Sequence, residues 1–273
     1  MSEAMAGKAV LITGAGRGLG RAYGEALAAA GAKVLINDVD AAEANAAADG
    51  IVAAGGIARA HCGTIATWDG AAAAVEECIS AFGAIDGLVN NAGLFHNSPP
   101  WEETEQVIRD LVEVNVVGAL FVGVHAMRAM ADAGGGAIVN LTSEAHLGLP
   151  TMATYAATKG ALASLTYAWA WDLAERNIRV NGVAPVGFTR MTPAWAPPGS
   201  RPSPASVAPI VVFLLSDRAA AITGKVVHFN GTTLTPVVAP HKAAESVTKD
   251  VWSVDDIAEA CAGPLAPALL SAE

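Results

Sequence analysis

Cysteine is scarce in this chain and follows no pattern. The three cysteines, Cys62, Cys78 and Cys261, are scattered over 273 residues. An odd number without a C-x-x-C excludes a disulfide framework and a zinc knuckle, and each reads as a small buried hydrophobe. Charge is sparse too. Charged residues make up 15% of the chain, with 16 basic against 26 acidic and a net charge of -10. With no basic tract, the electrostatic footprint of a nucleic-acid binder is missing. The six histidines have no metal-ligand spacing, so no metal site is expected. No apolar run reaches membrane length, and the N-terminus MSEAMAGK has no apolar signal core. A soluble cytoplasmic protein without membrane or nucleic-acid partners is expected.

Small apolar residues are abundant. The hydrophobic share is 53%, much of it alanine, and there are 28 glycines. Such a composition suits helices packed closely over a sheet, in one large α/β domain or two small ones. Short apolar runs alternate with alanine-rich stretches of helical period. The expected strands are Lys8–Thr13, Lys33–Asn37, Ile57–His61, Gly87–Asn90, Ala137–Leu141, Arg179–Ala184 and Lys225–Phe229. The expected helices are Gly18–Ala30, Ala41–Ala54, Trp68–Phe82, Glu103–Ala131, one carrying Tyr155 to about Glu175, and Ala205–Leu215. This alternation predicts a doubly wound parallel sheet covered on both faces. Thr192–Pro204 holds five prolines in thirteen residues and cannot be a regular helix. Residues 1–231 form the expected domain, and 232–273 an extension packed on it. Ser253 and Asp256 in the extension match the spacing of a helix N-cap.

Two constellations carry chemistry. TGAGRGLG (Thr13–Gly20) lies where the first strand meets the first helix. Its glycines Gly14, Gly18 and Gly20 permit a tight turn and leave helix N-terminal N–H groups open to a pyrophosphate. Asp38 ends the second strand, where a carboxylate can accept ribose hydroxyls and repel a 2′-phosphate. Arg17 pulls toward the phosphate, but Asp38 weighs more, so NAD is favoured over NADP. Tyr155 and Lys159 stand one helical turn apart in TYAATK, with Ser143 twelve residues before the Tyr. An ammonium beside a phenol favours the phenolate, and a Tyr tuned in this way can move a proton to or from an alcohol or carbonyl oxygen.

With these motifs in series, the chain resembles the short-chain dehydrogenase/reductase family over about residues 7–231. The resemblance rests on TGAGRGLG, NNAG (Asn90–Gly93), Asn115 in EVNVVG, Ser143 in IVNLTS, Tyr155 with Lys159, and RVNGVAP (Arg179–Pro185) with Thr189. It implies a seven-stranded parallel sheet in order 3-2-1-4-5-6-7. It implies Tyr155 as acid/base, Lys159 on the nicotinamide ribose, Ser143 on the substrate oxygen, and Asn115 holding a water that links Lys159 to solvent. Cofactor contacts are then expected from Gly14, Arg17, Gly18, Leu19, Gly20, Asp38, Thr64, Ile65, Asn91, Ala92, Gly93, Pro185, Val186, Phe188 and Thr189, with Asn90 beside the adenosine ribose. The chain departs from the family in three places. Thr64-Ile65 stands where Asp-Val or Asp-Ile is common, Pro185-Val186 replaces Pro-Gly, and the Ser143–Tyr155 loop is one residue short.

The segments around these motifs supply Phe95, His96, Trp101, His146, Leu147, Leu149, Met152, Phe188, Met191 and Trp195 as candidate substrate walls. Their mix fits a hydrophobic secondary alcohol or ketone. Alternative readings are a dehydratase or epimerase of the family, or a non-catalytic dinucleotide-binding sensor or scaffold. The long helix repeats Val116, Val117, Leu120, Val124 and Met127, and the Tyr155 helix repeats Ala161, Leu165, Ala168, Trp169 and Leu173. Each carries more apolar surface than one sheet face covers. The family pairs these helices across a two-fold axis, so a homodimer or homotetramer is expected.

Overall fold

The computed structural model describes residues 3–187 and 202–270. Two compact units emerge, residues 1–237 and 238–273. The first unit begins with β1 (Ala9–Ile12), α1 (Gly18–Ala29), β2 (Lys33–Asp38), α2 (Ala41–Ala53), β3 (Ile57–Cys62), α3 (Trp68–Phe82) and β4 (Gly87–Asn90). It continues with α4 (Glu105–Val112), α5 (Gly118–Asp132), β5 (Gly136–Leu141), α6 (Ala153–Asp172) and β6 (Ile178–Pro185). Last come α7 (Pro204–Val207), α8 (Pro209–Leu215), β7 (Val226–Phe229) and β8 (Leu234–Val237).

The strands form one sheet in the order β3-β2-β1-β4-β5-β6-β7-β8. The first seven are parallel, as expected, and β8 runs antiparallel to β7. The expected sheet ended at Phe229. The extra strand follows a tight hairpin in which Asn230 Oδ1 accepts from the N–H groups of Thr232 and Thr233 while Gly231 takes φ +87°. Leu234 and Thr235 are exposed, so no apolar alternation announces them.

Strand residues alternate between two cores because successive side chains point to opposite faces. Val10 and Ile12 of β1 join Tyr23, Leu27, Ile51, Val211 and Leu214 under α1, α2 and α8. Ala9 and Leu11 join Val75, Val122, Met130 and Trp169 under α3, α5 and α6. Cys78 is buried in this second core, but Cys62 is exposed at the end of the edge strand β3 and Cys261 is half-buried. That corrects the expectation that all three are buried.

Three other expectations need correction. The helix expected over Glu103–Ala131 carries one π-helical turn, Glu113–Val117, between α4 and α5. The helix expected over Ala205–Leu215 splits at Pro209, whose ring cannot continue α7. Trp169 and Leu173, grouped with an outward face of α6, are buried. Trp169 lies over Gly123 of α5, where an added Cβ would come within 2.4 Å of the indole.

A buried polar chain ties the sheet to α6. Asn90 Nδ2 donates to Asn140 Oδ1 at 2.9 Å, Asn140 Nδ2 donates to Thr166 Oγ1 at 3.1 Å, and Thr166 Oγ1 donates to the Leu162 carbonyl. The chain links the amides of Asn90 and Asn140 to α6, although Asn90 Oδ1 itself has no partner among the described residues. Asn90 is therefore a structural side chain and does not line a ligand site, contrary to the expectation.

In the second unit, α9 (Val254–Ala262) and α10 (Ala266–Leu270) follow a capping box made by Ser253 and Asp256. Among the described residues no helix is long and apolar enough to cross a membrane.

Replacing Asn140 with Leu removes two buried hydrogen bonds, leaving Asn90 Nδ2 only its 3.5 Å contact with the Ala119 carbonyl and Thr166 Oγ1 only its bond to Leu162, at about 1–3 kcal/mol for each weakened group. Urea denaturation of Asn140→Leu is expected to show a loss of about 2–4 kcal/mol.

Candidate active site

At the carboxyl ends of the strands, where β1 and β4 diverge, a cleft of about 750 Å³ opens. This is the switch point at which open α/β sheets hold ligands. Its shape depends on Asn91. The Asn91 amide donates to the carbonyls of Thr13 at 2.9 Å and Gly14 at 2.8 Å. Thr13 Oγ1 accepts in return from the N–H groups of Asn91 and Ala92, both at 3.1 Å. The turn after β1 is thereby clamped against β4. Gly14, at φ +60°, has no room for a Cβ, which would stand 2.7 Å from Ala92 Cα. A Cβ on Gly20 would stand 2.5 Å from Asn91 Nδ2. These glycines are fixed by protein packing as well as by the turn.

The helix that leaves this turn is open at its start. Asp40, Thr67 and Thr104 cap α2, α3 and α4 with side-chain oxygens, whereas α1 has no side-chain cap and no acid in its first turn. Gly18, Leu19 and Gly20 of that turn line the cleft. Uncapped N–H groups at a helix N-terminus suit a pyrophosphate. Beyond them stands Asp38, whose Oδ2 accepts from Gly16 N at 3.0 Å and whose Oδ1 accepts from Asp40 N at 3.1 Å. Arg17 is engaged by carboxylates. It pairs with Asp40, and its Nε lies 3.1 Å from Glu43. Thr64 caps its own turn by accepting from Ala66 N, and Ile65 is buried against Gly118.

At the other end of the cleft stand Ser143, Tyr155 and Lys159. Tyr155 and Lys159 share one face of α6 and are both buried. Lys159 Nζ donates to the Leu141 carbonyl at 2.7 Å and lies 5.8 Å from the Tyr155 ring centroid. No carboxylate pairs with it among the described residues, and burial lowers its pKa to about 8. Tyr155 packs edge-on against Phe95 at 5.0 Å. Burial raises its phenol pKa, and the hydrogen bond with Ser143 pulls the other way. The expected depression of Tyr155 by the Lys159 charge is thus corrected. The ammonium faces Leu141, and desolvation of the phenolate dominates.

Asn115 lies in the π-turn behind these groups. Its Oδ1 accepts from Leu94 N at 2.7 Å, and its Nδ2 donates to Leu94 O and to Thr158 Oγ1. Asn115 therefore does not line the cleft. It holds the loop after NNAG against α6, and Gly93 passes so close that a Cβ would lie 3.3 Å from its Oδ1.

Of the remaining expected residues, Asn91, Ala92, Gly93, Pro185 and Val186 line the cleft, as do Phe95, Leu149 and Met152. Four others are elsewhere. His96 faces Ser98, Trp101 and Leu147 are largely exposed, and His146 Nδ1 turns to the Ser143 carbonyl. Phe188, Thr189, Met191 and Trp195 lie outside the described residues. The cleft also takes in Asn37, Val39, Gly63, Leu94, Val114, Leu141, Thr142, Glu144 and Gly187. These are flanks of the motifs, and only their neighbourhood in sequence pointed to them.

An anion-ready helix end, a carboxylate placed for ribose hydroxyls and a buried unpaired cation fit a nicotinamide dinucleotide. Fold and site together define a dinucleotide-dependent oxidoreductase. The family model described as short chain dehydrogenase matches residues 8–198. The chain belongs to the short-chain dehydrogenase family, whose members use nicotinamide cofactors. It is 38% identical to cyclohexanol dehydrogenase of Acinetobacter sp. over 238 residues, covering 82% of this chain and 94% of that one. It is 36% identical to 3-oxoacyl-[acyl-carrier-protein] reductase of Staphylococcus aureus, covering 82% of this chain and 97% of the relative. A short chain dehydrogenase from Mycobacterium avium superposes with a TM-score of 0.85 at 32% identity, covering 98% of this chain and 96% of that one.

Burying Lys159 has a cost that depends on pH. With a folded pKa of about 8 against 10.5, the unfolded chain holds one proton more between those values, so stability rises with pH across that window. The cost is full below pH 8 and fades toward 10.5. Lys159→Met is therefore expected to stabilise the protein at pH 7 by about 1–3 kcal/mol, from 1.4 kcal/mol per pKa unit. Denaturation at pH 7 and pH 10 should show the gain shrinking at the higher pH.

Proposed function

We propose that this protein is an NAD-preferring dehydrogenase or reductase acting on a secondary alcohol or ketone with an apolar body. The observation that carries the reading is the convergence of Ser143, Tyr155 and buried Lys159 at one end of the cleft that has Asp38 at its other end. When bound, the nicotinamide supplies or accepts the hydride. Tyr155 gives its proton to the carbonyl oxygen in reduction and takes it back in oxidation. Its raised pKa keeps the phenol protonated at neutral pH, the form a reduction needs. Ser143 Oγ donates to the same oxygen. Lys159, cationic below about pH 8, stabilises the phenolate left behind and has N–H groups to spare for ribose hydroxyls. Asn115 keeps the Leu94 backbone and α6 in register. Phe95, Leu149 and Met152 favour an apolar substrate body.

The NAD preference rests on charge. Asp38 stands at the end of β2, and the one cation of the glycine turn, Arg17, is neutralised by Asp40 and Glu43. A 2′-phosphate would meet net negative charge there. For assembly, Val116, Val117, Leu120, Val124 and Met127 of the long helix stay half-buried, Leu120 and Met127 while packing on the core. The reading assigns that helix and α6 to a homodimer.

Tyr155→Phe should lose at least tenfold, and in the usual range 100-fold or more, in turnover of secondary alcohols while binding NAD nearly as wild type does. Steady-state rates and cofactor titration measure both. Asp38→Ala should narrow the NAD over NADP preference, read as the ratio of kcat/KM values. Equal use of the two cofactors by the unaltered protein would contradict the charge argument.

A further inference from the structure

The cleft wall beside Ser143 is not uniformly apolar. Glu144, the next residue along the chain, lines the same cleft and opens the short turn Glu144–Leu147. Consecutive Cα atoms are about 3.8 Å apart. Because Ser143 and Glu144 line one cleft, a substrate whose reacting oxygen meets Ser143 has its remaining groups in a space that Glu144 helps to wall. The carboxylate is 61% exposed, and no donor reaches it within hydrogen-bond distance among the described residues.

Behind it stands His228 of β7. Its Nε2 is buried, has no hydrogen-bond partner among the described residues, and lies 4.0 Å from Glu144 Oε2. His228 is held in place by the sheet. It pairs with Ala184 of β6, and the next residue, Phe229, accepts from Val186 N at 3.0 Å. Pro185 and Val186 are themselves cleft residues. The carboxylate thus has a fixed imidazole on one side and open acceptor capacity on the other. A carboxylate accepts hydrogen bonds and donates none. Its complement is a hydrogen-bond donor, and in a cleft also lined by Phe95, Leu149 and Met152 the donor that fits without adding a charge is a hydroxyl; a ligand carboxylate would be repelled. A wall built for a hydroxyl discriminates against the analogue that lacks it.

The geometry points to Glu144 as a specificity residue for a second hydroxyl on the carbon next to the reacting one. The substrate class is then a vicinal diol or α-hydroxyketone with an apolar body. His228, 4.0 Å away and fixed by the sheet, is the neighbour that backs the carboxylate and is assigned as a positioning residue. The inference rests on the oxidoreductase reading above. Its test compares trans-cyclohexane-1,2-diol with cyclohexanol, using NAD and the full-length protein in wild-type, Glu144→Leu, Glu144→Gln and His228→Leu forms. NAD binding and melting confirm that each variant folds. Wild type should favour the diol at least tenfold in kcat/KM, about 1.4 kcal/mol. Glu144→Leu should bring the ratio to about one, mainly through KM for the diol. Glu144→Gln, which keeps an acceptor oxygen, should retain part of the preference, and His228→Leu should lose part of it. Equal kcat/KM for the two alcohols in wild type, or an undiminished preference in Glu144→Leu, would overturn the inference alone. Absence of turnover of both by folded, NAD-binding wild type would overturn the secondary-alcohol reading beneath it.

Discussion

The clamp between Asn91 and the turn after β1 is the contact on which the site depends. Parallel strands end with their carbonyls and amides pointing past the sheet, and between β1 and β4 those ends must be satisfied without closing the cleft. The Asn91 amide and the Thr13 hydroxyl do this with four hydrogen bonds. Because the clamp draws β4 against this turn, a Cβ on Gly20 would strike the Asn91 amide and one on Gly14 the Ala92 backbone, so both positions have to be glycine. Because the turn is then fixed, α1 starts with its N–H groups facing the cleft and not capped by its own chain. Anion binding at one end of the cleft follows from backbone packing.

The other end works by a different principle. Lys159 is a buried cation without a carboxylate, and Tyr155 is a buried phenol whose ionisation is opposed by burial. Neither arrangement stabilises the folded state. Both persist because α6 is anchored elsewhere, by Thr166 to the Asn90–Asn140 chain and by Thr158 to Asn115. Stability surrendered at a site and recovered in its supports is a common pattern in enzymes.

The alternation of strands and helices was legible as a backbone pattern, and the sheet order followed from the family resemblance that the motifs carry. TGAGRGLG, NNAG and TYAATK mark the turn after β1, the end of β4 and the start of α6, and the elements fall there. Less legible were features set by tertiary contact. Nothing in EVNVVG announces a π-turn, and Trp169 looks like any exposed helix aromatic until Gly123 is placed beneath it. Asn90 and Asn91 are adjacent and chemically alike, yet Asn90 ends β4 and is buried in a structural chain, while Asn91 lies past the strand, where its amide reaches the turn after β1 at the cleft. Of the substrate-wall candidates, those in NNAG's wake and before Tyr155 divided between cleft and surface because loop direction cannot be read from spacing. The Tyr155 pKa was misjudged for a similar reason. Spacing on a helix gives proximity to Lys159, but not the depth of burial or the direction in which Nζ points.

The central claim is that this cleft moves a hydride between a carbinol carbon and a nicotinamide while Tyr155 moves the proton. The most direct measurement offers the wild-type protein NAD and a panel of secondary alcohols deuterated at the carbinol carbon, and follows the label by mass spectrometry. The account predicts one deuterium in the reduced cofactor for each ketone formed, with none lost to water. Bound NAD that never acquires deuterium from any alcohol would contradict it. So would label exchanging into solvent without net ketone formation, the signature of epimerase or dehydratase chemistry.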